Sequence, residues 1–495
     1  VKRCSSRNAA TPACASSPTT EWPGLLKERR IRIGLTVLSM SLCLHSLLGA
    51  TVRLSPGAPA PTTVVAITTD WATGGLTAIS TESPEQPELD LTPICPDAVA
   101  RAFADRIYVV NRQGCGSIQI VDPGQGFETT REFSTGGGSN PQDIALISER
   151  RAYVSRYDSN LLLEFDPEVG AVTDTVDLSS FADSDGLCEM YTMEFVPPYL
   201  YVTLQRLNHF QVANESMIAV VDTETNELVD TIPDSPEVDA ILLQGRNPFG
   251  RLEVQLANGD SRLLVATAGS FADKTDGGLE TIDLTTWKTE GILVDGKQLG
   301  GDLLDFATYS ETRTFGIVAD AQGVTSVIAF DPNSDSPPEV IVRAGGYEFN
   351  DCLVTATGQL WVADQNPIAP GIRIFDSETG VEQTATPIST GLPPFALLEL
   401  PGESGPIIPN PPQVAVYPNP TRGGVELVLR SNPTGPATVF DAHGRVVRRL
   451  GRSGANPMSW DGKNELGRNI PSGRYWVAVP LDGGIVETGP VQVLR

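Results

Sequence analysis

Residues 118–126 read IQIVDPGQG, residues 162–170 read LLEFDPEVG, and residues 372–380 read IRIFDSETG. Each phrase alternates apolar residues over the length of one strand, ends the strand in aspartate, and follows it with turn formers. Seven segments align on that terminal position: LTAIS (76–80), IQIVD (118–122), LLEFD (162–166), IAVVD (218–222), LETID (279–283), VIAFD (327–331) and IRIFD (372–376). Their spacing runs from about 42 to about 61 residues, the period of a radially repeated sheet. Another short strand precedes most copies: VVAIT, IYVVN, AYVSR, LYVTL, LLVAT or LWVAD. A turn such as DPEVG, DTETN or DSETG follows, with Asp or Pro setting it and Gly or Asn suited to positive φ.

A single such sheet cannot bury both faces, whereas several packed around an axis can, leaving few open edges. The expectation is therefore all-β: a seven-bladed β-propeller over residues 51–400. The first copy lacks an innermost strand before it, and PFALLEL (394–400) stands alone after the last. These two predict a mixed closing blade with the C-terminal strand innermost, which argues against an open solenoid.

Composition agrees with many short strands and turns. Of 495 residues only 19% are charged, with 47 Gly and 39 Pro. The net charge of −26 leaves no basic excess to neutralise phosphates, which argues against nucleic acid as a partner. Both ends are basic, so the middle carries about −35. Such a body attracts cations or basic surfaces, or simply stays soluble.

Residues 1–50 are read as an export segment. KERRIR (27–32) precedes the apolar run GLTVLSMSLCLHSLLGA (34–50), the form of a secretory signal peptide cleaved near Ala50, or else of an uncleaved anchor. No other apolar stretch is long enough to span a membrane. The expected location is secreted or cell-surface. Four cysteines follow that segment. Cys95 and Cys115 fall at the same end of one blade and are expected to bond, whereas Cys188 and Cys352 lie about three blades apart and are left open.

Across residues 60–400 the chain resembles the exported bacterial YVTN-type propeller family. The phrases that carry this are IYVVNRQGCGSIQIVD, GSNPQDIAL, AYVSRY, FADSDGLCEMYTMEF, LYVTLQRL and GRNPF. Cys188 stands where that pattern has proline before Glu-Met. The resemblance implies the fold and says little of activity, because one fold hosts many functions.

PGESGPIIPNPPQ (401–413) reads as a linker. Residues 414–495 alternate in strand fashion between Gly and Asn turns, as an immunoglobulin-like sandwich does. They resemble the domain shared by flagellar hook-capping proteins and the sorting domains of type IX secretion cargo. The matching positions are Tyr417, Asn419 and Pro420; Gly444; Trp460, Asp461 and Gly462; and Gly473 and Tyr475. Carried over, they are structural, with Trp460 in the core and Asp461-Gly462 in a turn. The secretion machinery is the partner this resemblance implies.

Chemistry is sparse. The three histidines, His45, His209 and His443, lie in separate segments, so they form no metal cluster within one domain. No GxSxG elbow is present, and GGG (136–138) lacks a phosphate-loop setting. Acidic residues give the remaining signal. Asp143, Glu189, Asp239, Asp305 and Asp351 are placed at the starts of innermost strands, where they would ring one mouth of the axis. Converging there, they would raise one another's pKa or share a cation such as Ca2+; the alternative is that each caps a turn. Asp183 and Asp185 in DSDG match part of a calcium loop, but an Asx turn explains them as well.

The leading expectation is a non-enzymatic scaffold that binds an envelope protein or glycan at the mouth or at the long loops 204–217 and 233–262. The alternative is a divalent-cation-dependent hydrolase or lyase, since such propellers also resemble lactonases and streptogramin lyases.

Overall fold

The computed structural model describes residues 62–400, apart from 233–234, 236–237, 258–259, 271–272 and 274, together with much of 414–495. Among these residues, seven antiparallel sheets follow one another between Thr63 and Leu400. In the second to seventh sheets the first strand in sequence stands at one edge of the sheet. These strands are Ala98–Phe103, Pro141–Ser148, Met190–Val196, Pro248–Ala257, Asp302–Ser310 and Phe349–Val354. Each packs on the next in that order. In the first sheet the edge strand is the last in sequence, Pro394–Leu400, which pairs antiparallel with Thr63–Thr69 in the register Thr63↔Leu400. That strand packs on both Phe349–Val354 and Ala98–Phe103 and closes the ring. The fold is a β-propeller whose two ends meet in one sheet.

The repeated phrase occupies the third strand of each sheet, and its aspartate has a local task. Asp166, Asp222, Asp283, Asp331 and Asp376 each accept a backbone N–H two or three residues on, at 2.7–2.9 Å. The turn then closes onto the aspartate's own carbonyl from Gly170, Asn226, Trp287 and Gly380. All four have positive φ, and only at Trp287 (φ 54°) does a bulky residue take this conformation. The phrase recurs because five of the seven blades use the same Asx-capped turn after this strand; the first copy ends in Ser80, and Asp122 instead leads into a short 3-10 turn.

Packing between sheets supplies the core. Tyr153 and Leu162 of the third sheet bury against Met190, Leu200 and Val202 of the fourth. Phe315 and Ile317 do so against Phe349, Leu360 and Phe375. The second strands, such as Arg151–Arg156 (RAYVSR) and Gln359–Asp364 (QLWVAD), are almost wholly buried, because neighbouring blades cover both of their faces.

Residues 414–495 form two further sheets. Val414–Tyr417, Val425–Leu429 and Met458–Trp460 make one; Val446–Arg449, Thr438–Asp441, Gly473–Leu481 and Gly484–Glu487 make the other, with Val491–Val493 on Gly473–Leu481. Trp460 is fully buried between them, its ring 5.8 Å from that of Tyr475. Its indole N–H donates to the Lys463 carbonyl at 2.9 Å, across the turn that Asp461 and Gly462 (φ 64°) make. Tyr475 donates its hydroxyl to the Pro471 carbonyl at 3.0 Å. Gly473 begins the strand that carries Tyr475, and the backbone of Tyr417 pairs with Glu426. Asn419, Pro420 and Gly444 lie outside the described residues, as do the export segment and the linker.

Candidate functional site

The innermost strands all start at the same end of the ring, because each leads an antiparallel sheet and the closing strand runs the same way. Just inside this end, three of the five sequence-selected acids converge. Asp143 forms a two-pronged pair with Arg101 of the preceding sheet, at 2.9 and 2.7 Å. It also accepts the Met193 N–H of the following sheet at 2.8 Å. Asp305 accepts from Arg251 at 3.2–3.3 Å and from the Cys352 N–H at 3.2 Å. Asp351 binds the same guanidinium and accepts the Leu397 N–H at 2.7 Å. Glu253 takes the Thr308 N–H at 3.1 Å, and Glu399 takes the Ala356 N–H at 3.0 Å.

These carboxylates therefore do not cap turns within their own blades. Each accepts a backbone N–H of a neighbouring blade, from a strand or, for Glu399, from the turn at Ala356, and Arg101 and Arg251 supply counter-charge to the aspartates. Burial alone would depress both guanidinium pKa values, but the facing aspartates outweigh it and raise them. Asp351 moves the other way. Its burial and the adjacent Asp305 raise it above the ordinary carboxyl range, although Arg251 opposes the shift. With their oxygens committed to guanidinium and amide donors, the three aspartates do not form the shared cation ring expected from sequence. Among the described residues no cluster of His, Cys, Asp and Glu has metal-binding geometry.

The two other selected acids lie elsewhere. Asp239 sits in the connection ahead of Pro248–Ala257, where its carbonyl accepts from Thr231. The innermost strand there begins nine residues later than the sequence reading placed it, and carries Arg251 at the expected acidic position. The segment 233–262 is thus not one long loop, because much of it is a strand pair, Pro248–Ala257 with Asp260–Thr267. Glu189 is buried and accepts the Leu207 N–H at 3.0 Å, fastening the loop after Tyr199–Leu204. Burial, then Asp185, pushes its pKa up to about 7.

Asp183 and Asp185 belong to the same fastening. Asp183 accepts the Asp185 N–H, forming an Asx turn, and also binds Asn214; Asp185 accepts the His209 N–H at 3.0 Å. Glu189, Arg206, His209 and Phe210 all have positive φ, so this loop is held in a costly conformation. Cys95 and Cys115 are bonded, with Cα atoms 6.4 Å apart. Cys188 and Cys352 are buried free thiols.

Sequence reasoning missed what surrounds the clasp at the mouth. Tyr191 stacks on Phe249 at 5.6 Å, and Trp71 meets Phe395 edge-on at 5.4 Å. The Arg112 guanidinium lies 5.5 Å over Phe395 and is fixed by Asp97 at 2.7 Å. The nearby Arg112 favours ionisation of the Tyr191 hydroxyl, but burial outweighs it and raises the pKa. Tyr347 stands in the connection just before Phe349–Val354, at the same end of the ring. Farther out, Phe210 stacks on Tyr157 at 6.1 Å. Glu194 is the one innermost-strand acid that makes no hydrogen bond or ion pair among the described residues. Burial pushes its carboxyl up to about 7, opposed by Arg101 and reinforced by Asp143 and Glu253. The aromatic residues fall at the ends of strands, where alternation no longer marks them.

No family model matches the chain. Among curated proteins, a 65-residue stretch is 38% identical to the basal-body rod modification protein FlgD of Salmonella typhimurium, covering 12% of this chain and 28% of that protein. The chain thus spans just over a quarter of the curated relatives it matches. Solved structures give broader but weaker likenesses. A putative 6-phosphogluconolactonase from Bacteroides fragilis aligns with 70% of this chain and 99% of its own, at 12% identity and TM-score 0.49. Apo AztD from Citrobacter koseri aligns with 81% and 97%, at 10% identity and TM-score 0.41. The dihydro-heme d1 dehydrogenase NirN aligns with 71% and 77%, at 12% identity and TM-score 0.44. Likenesses this distant concern the fold alone.

Proposed function

We propose that the protein is a non-enzymatic binding scaffold of the cell envelope, secreted or held at the cell surface, whose seven-bladed, YVTN-like propeller takes an envelope protein or glycan at the mouth described above. The observation that carries this reading is the combination of a collar of exposed aromatic rings at the mouth with an axis beneath whose aspartates are held by arginines. Trp71 and Tyr347 are 61% and 55% exposed there. Large rings left in solvent on a rigid frame are what recognition uses. The alternative of a divalent-cation-dependent hydrolase draws no support from the axis, because arginines already hold its aspartates. On this reading residues 1–50 direct export, and residues 414–495 serve secretion or surface attachment through the secretion machinery. The resemblance of that domain to hook-capping and type IX sorting modules supports this, as does the likeness to a flagellar protein.

Thermal unfolding of the full chain tests the reading, with EDTA, with Ca2+, and with a panel of envelope proteins and glycans. A true ligand at 100 times its Kd adds about 2.7 kcal/mol to the folded state. No rise with any protein or glycan overturns the proposal. A rise with Ca2+ alone restores the cation-dependent alternative.

A further inference from the structure

The scaffold reading leaves the chemistry of the ligand open, and the collar narrows it. Resting on that reading, we infer that the mouth binds a neutral glycan, with a pyranose ring lying against Trp71, Phe395 and Tyr347 and its hydroxyls meeting the Arg112–Asp97 pair.

Three features carry the inference. The first is exposure: Trp71, in the turn after Thr63–Thr69, and Tyr347, just before Phe349–Val354, are both exposed, with Phe395 beside Trp71 on the closing strand. A pyranose has one face of C–H groups that stacks on such rings and a rim of hydroxyls that needs donors and acceptors alongside. The second is the rim itself. Arg112 donates its Nε to Asp97 Oδ1 at 2.7 Å, while Asp97 Oδ2 has only the Gln113 N–H at 3.4 Å. A carboxylate oxygen with spare capacity and a fixed guanidinium side by side suit a vicinal diol, which donates to one and accepts from the other.

Charge is the third, and it decides between ligand classes. The chain as a whole is acidic, but at the mouth most charges are paired: Arg112 with Asp97, Arg101 with Asp143, and Arg251 with both Asp305 and Asp351, the second of which burial raises above the ordinary carboxyl range. A phosphate or sulfate would find none of these three guanidiniums free. The acids left without an ion pair among the described residues there, Glu194 and Glu253, are raised by burial, which weakens their pull on a basic peptide. A neutral polyol disturbs none of these pairs.

Isothermal titration of the full chain with chitotetraose, cellotetraose and mannotetraose, and with a lysine-rich decapeptide, tests the inference. At least one tetrasaccharide is expected to bind saturably. Its affinity should fall at least tenfold in Trp71→Ala and in Tyr347→Ala. It should be unchanged in Val172→Ala, an exposed residue on an outer strand. Both collar variants replace exposed side chains, and unchanged unfolding midpoints would confirm that they fold. No saturable binding by any of the three sugars overturns the inference, as does sugar binding insensitive to both collar variants. If the decapeptide binds through Trp71 while no sugar does, the glycan is wrong and the scaffold reading stands. If nothing binds here and the envelope panel also gives no thermal shift, both fail.

Discussion

The Asp351 carboxylate accepts the Leu397 N–H at 2.7 Å, so the seventh sheet grips the strand that closes the ring. The same carboxylate binds Arg251 of the fifth sheet, which also holds Asp305 of the sixth. One guanidinium thus links three consecutive sheets, and a fourth is attached through Leu397.

Removing that guanidinium leaves two buried carboxylates facing each other. Arg251→Met should cost about 3–5 kcal/mol, the usual penalty for breaking a buried pair from one side. The loss should be pH-dependent. Without the cation the burial that raises Asp351 loses its chief opposition, so the folded state holds its proton more tightly than the unfolded chain, and stability falls as pH rises. Urea unfolding at pH 5 and pH 8.5 should show the larger defect at the higher pH.

Glu194 provides a second titration. Its folded pKa of about 7 lies above the ordinary value of 4.5. The proton is therefore favoured in the folded state, and stability is lost as pH rises from about 4.5 through about 7. Glu194→Gln should match the wild type near pH 4.5 and exceed it by about 1–3 kcal/mol at pH 8.5. Equal stabilities at both pH values would show that the carboxyl is solvated normally.

Gly250 sits at φ 82°, and a Cβ there would stand 2.6 Å from the Leu304 carbonyl oxygen. This close approach lets the Arg251 N–H reach Asp305 at 3.3 Å. Gly250→Ala combines a disfavoured conformation with a clash against backbone, and should cost about 2–3 kcal/mol. The unfolding midpoint in urea measures it.

The Cys95–Cys115 bond closes a loop of 20 residues and ties the entry of the second sheet to its hairpin turn. The double variant Cys95→Ser/Cys115→Ser should lose about 3 kcal/mol by loop-closure entropy. Reductant should lower the midpoint of the wild type and leave that of the double variant unchanged.

The blade repeat was legible because its determinants are local: a buried strand, an aspartate that caps the next turn, and a positive-φ residue such as Gly170 or Asn226. The closing strand was legible because Pro394–Leu400 had no partner left in sequence. The axis was only half legible. Asp143, Asp305 and Asp351 stand out as acids at strand starts, but their partners come from other sheets: Arg101 is 42 residues from Asp143, and Arg251 is 100 from Asp351. Nothing in AVARAF or PFGRLEV reports such a distant pairing. Asp239 misled because a strand boundary was set too early, and the collar was invisible because strand ends carry no periodicity.

A double-mutant cycle on Arg251 and Asp351 tests most directly that the axial acids clasp the blades. Urea unfolding of the wild type, Arg251→Met, Asp351→Asn and the double variant gives their coupling. The clasp predicts that the double variant costs less than the sum of the singles by about 2 kcal/mol or more. Additivity to within about 0.5 kcal/mol would contradict it and free these acids for another role.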